Sequence, residues 1–180
     1  MEEKRLTKNK DMLEWYDALV FAVAVLVLVF AFCARIVVVS GHSMDSTLAE
    51  NDRLLVQSSF YKPHRGDVVV VDGYTNYGKP LVKRVIAVGG DVVNIDPDQG
   101  LVYVNGEALE EPYLNDGTTL GTGDTAFPIT VPEGTLFLMG DNRQHSTDSR
   151  DSSIGCIDER DILGKVLLRL FPLEKFGRIE

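Results

Sequence analysis

The chain has 180 residues, 44% hydrophobic and 25% charged, a balance that suits one folded domain with an accessory segment and excludes wholesale disorder. Its formal net charge is −9, and the acidic excess lies wholly in residues 36–180, which hold 13 basic and 22 acidic side chains. That balance disfavours nucleic acid as a partner. Cys33 and Cys156 lie far apart, form no metal-ligand spacing and are not expected to pair, so no metal or cofactor is called for.

The first element is an apolar run. Ala18 to Ala34 gives 17 residues without a charge. As a helix at ~1.5 Å per residue it covers about 26 Å, near the lower limit for a hydrocarbon core of ~30 Å. Trp15 and Tyr16 suit the interface, and Arg35 can snorkel outward. A buried core helix and a cleaved signal peptide are the alternatives, but the run exceeds the ~7–15 apolar residues usual for the latter. A single membrane anchor over residues 18–35 is the expectation. Lys4, Arg5, Lys8 and Lys10 precede it, whereas only Arg35 follows before Arg53. The positive-inside rule therefore places residues 1–17 in the cytoplasm and residues 36–180 outside, anchored to the cell membrane by one pass through its lipid.

Residues 36–180 predict short strands bounded by Asp, Gly and Pro: Ile36–Val39, Leu54–Val56, Val68–Val71, Leu81–Val88 and Val92–Ile95. Leu101–Val104 then runs into Asn105-Gly106, a strong hairpin signal. Residues 115–126 predict an exposed loop, and strands resume at Ile129–Val131, Leu136–Leu138 and Val166–Leu168. The fold class is mainly β: a compact, antiparallel, partly barrel-like domain behind one N-terminal transmembrane helix.

Lys83 stands inside one of these apolar strands. By period-2 alternation Leu81, Lys83, Val85 and Ala87 share a face, and Arg84 points to the other. Burial disfavours the charged amine and lowers its pKa. A neutral amine near pH 7 can act as a general base. The best candidate for it to activate is Ser43, in Gly41-His42-Ser43-Met44-Asp45. Histidine bases fit less well. His42 is the immediate neighbour of Ser43, His64 lies in a turn, and His145 with Asp148 could imitate a triad with Ser43. The Gly-x-Ser-x-Gly elbow fails, because Asp45 fills its last position.

Four blocks occur in order: Ser43-Met44-x-x-Thr47-Leu48, Arg65-Gly66-Asp67-Val68-Val69, Lys83-Arg84-Val85-Ile86 followed by Gly90-Asp91, and Gly140-Asp141-Asn142-Arg143 with Ser146 and Asp148-Ser149-Arg150. Val102–Gly106, Glu111-Pro112-Tyr113-Leu114 and Pro132-Glu133-Gly134 lie between them. Together they resemble the bacterial type I signal peptidases, or leader peptidases, in a short Gram-positive-like form. The resemblance covers nearly all of residues 36–170 and implies the signal-peptidase and repressor-protease type of β fold.

The resemblance further implies a serine endopeptidase that removes signal peptides from exported preproteins after small residues. Ser43 would be the nucleophile and Lys83 the general base. The Ser43 N–H would help bind the oxyanion, Gly41 standing where some relatives carry a serine donor. Ser146 matches a serine that holds the lysine amine, and Asp148 with Arg150 matches a supporting charged pair. The one departure is Ser46, where the family usually has proline. The rival readings are a catalytically silent membrane-tethered interaction domain and a Ser/Lys self-cleaving regulator. The apolar run and the lack of a DNA-binding domain argue against the second.

Overall fold

The computed structural model describes residues 2–59, 61–73, 78–114 and 117–179. A helix, α1 (Glu2–Phe32), leads into β1 (Ala34–Val38), β2 (Arg53–Gln57), β3 (Val68–Val71), β4 (Leu81–Val88), β5 (Val92–Asp96) and β6 (Leu101–Val104). There follow β7 (Glu107–Ala108), β8 (Ile129–Thr130), β9 (Thr135–Met139), β10 (Ile157–Asp158), β11 (Ile162–Phe171) and β12 (Gly177–Arg178). All described pairings are antiparallel. The larger sheet has the order β1-β2-β11-β3-β4-β9-β10, with β12 on β11, and forms a half-barrel; the smaller has the order β7-β6-β5-β8.

Among the described residues three clusters fill the interior. Ile86, Val93, Val104, Phe137 and Met139 pack between the sheets. Met44, Leu48, Leu54, Val68, Val70 and Val166 form a second cluster, and Val69, Val71, Val85 and Leu138 a third. The unbroken valines of β3 are all buried and feed alternate clusters, which explains why this strand shows no polar alternation. Asn105 and Gly106 both have positive φ (56° and 85°), as a two-residue hairpin turn requires.

Several expectations shift. Alternation in β4 holds from Leu81 to Val85, but a bulge between Val85 and Ala87 sends Ala87 into the cluster of Ile86. Strand β11, expected only over Val166–Leu168, runs for ten residues between β2 and β3. Register shifts at Gly164, Leu168 and Phe171 break its alternation and hide it from a pattern search. A Cβ on Gly164 would collide with the Gln57 carbonyl, so glycine permits this close pairing. In the segment expected as an exposed loop, residues 115 and 116 lie outside the described residues, and Thr119 is fully buried.

Residues 18–32 are helical as expected, but Ala34 and Arg35 already belong to β1. Among the described residues no helix is long and apolar enough to cross a membrane. Glu14 and Asp17 stand at the head of the apolar run, and its charge-free helical part, residues 18–32, is ~22 Å of helix.

Candidate active site

Where β1 ends, Val39 exchanges backbone hydrogen bonds with the 51–52 turn: its N–H donates to Asp52 and its carbonyl accepts from Asn51, both 2.9 Å. The intervening chain protrudes as a compact turn. The N–H groups of Thr47 and Leu48 both donate to the Met44 carbonyl, at 3.0 and 2.8 Å, while the Met44 and Leu48 side chains are buried beneath. Burial of each side chain stabilises by ~1.5–3 kcal/mol, which pins the turn to the large sheet. Ser43 sits at its start. Its carbonyl accepts the Asn142 N–H at 3.0 Å, and the Asn142 side chain donates to the His42 carbonyl at 2.9 Å. A Cβ on Gly140 would collide with both the Ser43 carbonyl and the Ser146 side chain, so only glycine allows segment 140–142 this close.

Strand β4 brings Lys83 to this turn from the opposite side. Lys83 pairs with Val69 across β3 and is 2% exposed, and its Nζ lies 2.6 Å from Ser43 Oγ. Burial lowers the pKa of the amine from 10.5 to about 8; Asp148 and Asp141 pull it up and Arg150 pushes it down, but burial prevails. About a tenth of the molecules then hold a neutral amine at pH 7.

Asp148 and Arg150 form a buried ion pair. Arg150 Nε donates to Asp148 Oδ1 at 2.8 Å and Nη2 to Oδ2 at 2.9 Å, and the Gly140 N–H donates to Oδ2 at 2.9 Å. Burial alone would raise the Asp148 pKa, but the bonds and charge of Arg150, with the Gly140 N–H, hold it below the usual carboxylate range. Arg150 also reaches the carbonyls of Gly121 and Arg143, at 3.0 and 2.8 Å. Ser146 departs from expectation. Its hydroxyl is buried against Gly140 with no hydrogen-bond partner among the described residues, so the expected bond to Lys83 is not made. It lies near enough to Asp148 to favour the carboxylate, short of hydrogen-bond geometry.

Neither histidine beside these residues serves Ser43. His145 is exposed and lies 3.2 Å from Asn142 Oδ1, while Asp148 is occupied by Arg150 and Gly140, so the Ser43–His145–Asp148 arrangement is not built. His42 is paired with Asp45 at 3.0 Å on the surface.

The sequence blocks also carry Arg84, Asp141 and Arg143, whose roles only the structure shows. Arg84, next to Lys83, is 2% exposed and grips Asp141 with two bonds of 2.9 and 2.7 Å. Its third nitrogen donates to the Gly66 carbonyl at 2.8 Å, and the Tyr113 ring lies 3.8 Å from its guanidinium carbon. Thr47 in the serine turn donates to Asp141 as well. Arg143 binds Gly140 O at 3.0 Å and pairs with Glu111, tying the Glu111–Leu114 segment to the same wall. The partners of these charges, up to 57 positions apart for Arg84 and Asp141, were not readable from the chain.

Beside Ser43 an apolar cleft of about 170 Å³ opens between the end of β1 and the start of β4, lined by Val38, Val39, Met44, Val70, Leu81 and Val82 among others. Strand β1 is at the edge of the large sheet.

A hydroxyl 2.6 Å from a buried amine of lowered pKa is chemically equipped for nucleophilic attack with the amine as proton acceptor. This is the equipment of a serine hydrolase. The family model described as Signal peptidase, peptidase S26, matches residues 12–171. Signal peptidase I of Bacillus licheniformis is 37% identical, covering 99% of each chain. Signal peptidase IB of Staphylococcus aureus is 36% identical, covering 93% of this chain and 94% of its own. Among solved structures, a signal peptidase I from Enterococcus faecalis superposes with a TM-score of 0.50 at 30% identity, covering 59% of this chain and 98% of its own. The chain belongs to the signal peptidase family, peptidase S26, and is a serine peptidase.

Proposed function

We propose that this chain removes signal peptides from exported preproteins, with Ser43 as nucleophile and Lys83 as general base. The carrying observation is the 2.6 Å approach of Lys83 Nζ to Ser43 Oγ at a site where burial lowers the amine pKa to about 8. Neutral Lys83 accepts the Ser43 proton as Oγ attacks the scissile carbonyl, and then protonates the departing amine, which leaves an ester on Ser43. Water attacks that ester, Lys83 takes its proton, and the acid product leaves as Oγ regains a hydrogen. The Ser43 N–H helps hold the tetrahedral oxyanion. Asp148, fixed by Arg150 and Gly140, limits how far burial depresses the lysine pKa and buttresses segment 140–142, while Ser146 fills the space against Gly140.

The substrate lies extended along the edge of β1 and places small side chains in the cleft beside Ser43. In this reading residues 1–17 form a cytoplasmic tail, residues 18–32 of α1 a single membrane anchor, and the domain that begins with β1 the catalytic part outside. The support for the anchor is the charge-free run Ala18–Ala34 and the exposure of every described side chain from Ala18 to Leu28 on all sides of α1. An apolar helix without a polar face suits lipid rather than water.

Full-length protein in detergent, incubated with a signal-peptide-bearing preprotein, tests the dyad. Ser43→Ala and Lys83→Ala each reduce cleavage to background, and the double variant is little worse than either. Substantial turnover by folded Lys83→Ala would sink the assignment.

A further inference from the structure

The turn that presents Ser43 contains a strained residue. Ser46 has φ of 102°, a conformation that costs a non-glycine residue of order 1–3 kcal/mol and persists only where neighbours enforce it. Ser46 itself is exposed, so the enforcement comes from the residues that flank it. On one side Asp141 accepts the Thr47 hydroxyl. On the other, Arg169 reaches across from β11. Its Nη2 donates to the Thr47 carbonyl, one residue after Ser46. Its Nε lies 2.9 Å from Asp52 Oδ2 as an ion pair, off the line of a hydrogen bond. The Arg169 and Asp52 side chains are 11% and 3% exposed, so this pair is little screened by water.

Asp52 closes the frame. Its Oδ2 accepts the Ala49 N–H at 3.0 Å, its N–H donates to the Ala49 carbonyl at 3.1 Å, and its carbonyl accepts the Val39 N–H. Both ends of segment 39–49 are thus fastened at the Arg169–Asp52 pair. We infer that Arg169 is a positioning residue, clamping the turn so that strained Ser46 stays in the conformation that aims Ser43 at Lys83. The inference rests on the reading of Ser43 as nucleophile. Arg169 touches neither Ser43 nor Lys83 among the described contacts and acts through Thr47 and Asp52.

The test uses full-length protein in detergent with a signal-peptide-bearing preprotein. Arg169→Met lowers kcat by ~100-fold, the scale of a misplaced nucleophile. KM and the pH midpoint of kcat/KM stay near wild type, since the cleft and the Lys83 surroundings are untouched. Adding Ser46→Gly, which removes the strain the clamp opposes, restores most of the lost kcat at temperatures well below the melt of every variant; there all molecules are folded, so a merely structural role for Arg169 would leave kcat unchanged and the stability that glycine adds would contribute nothing. If Arg169→Met shows no cooperative melt, Arg169→Met/Asp52→Asn removes both charges together, and the same kcat loss and glycine rescue are expected. Wild-type kcat in the folded variant, a loss carried by KM, or a loss that Ser46→Gly leaves unchanged would overturn the inference. Activity in Ser43→Ala would instead remove the nucleophile reading on which it rests.

Discussion

Replacing Lys83 with methionine, similar in length and uncharged, should raise the stability of the protein while ending its activity. An amine whose pKa falls from 10.5 to about 8 on folding has its charged form disfavoured, at about 1.4 kcal/mol per pH unit, by ~3 kcal/mol. With the residue 2% exposed, solvent screening reduces that little. Methionine loses the bond to Ser43, worth ~0.5–1.5 kcal/mol, which leaves a gain of ~2 kcal/mol. For a chain of this size that is a rise in Tm of ~4–8 °C. The sign of the pH dependence is fixed. Below pH 8 the lysine is protonated in both states, and its folded-state penalty is fully present. Between about 8 and 10.5 the unfolded chain binds the extra proton, so wild-type stability rises with pH and the advantage of methionine shrinks. Thermal melts of full-length wild type and Lys83→Met in detergent from pH 6 to 10 decide it. A destabilised methionine variant at pH 6, or an advantage that does not shrink above pH 8, would refute the reasoning.

Ser46→Pro should destabilise the turn and slow cleavage, because proline holds φ near −65° and Ser46 adopts 102°; Ser46→Gly should raise stability by ~1 kcal/mol, both read from melts and initial rates. Replacing His42, His64 and His145 together should leave cleavage of the preprotein largely intact, and loss of activity on replacing His145 alone in a folded protein would restore a histidine base.

What the sequence disclosed follows from local physics. A lysine inside Leu81–Val88 has no inexpensive structural excuse, so its burial and lowered pKa were legible from alternation alone. Ser43 was legible only through its family pattern, because an isolated turn serine carries no chemical signal. The blocks also held Arg84, Asp141 and Arg143, but ion-pair partners depend on strand register, and the bulge at Ala87 shows how one extra residue defeats period-2 reasoning. The departure at Ser46 was visible as a residue but not as a conformation: its φ of 102° is one that proline cannot adopt. Arg169 and Asp52 lie outside every recognised block, and only the pairing of β11 with β2 brings them together.

The central claim is that Lys83, made less basic by burial, deprotonates Ser43. The direct measurement is the titration of the Lys83 amine itself, by NMR of full-length protein in detergent with isotope-labelled lysine side chains, the signal being assigned by its absence in Lys83→Met. The account predicts a midpoint of about 8 that coincides with the rising limb of kcat/KM against pH. A lysine midpoint near the ordinary ~10.4, or a kinetic midpoint near ~6.5 while the lysine titrates elsewhere, would contradict it.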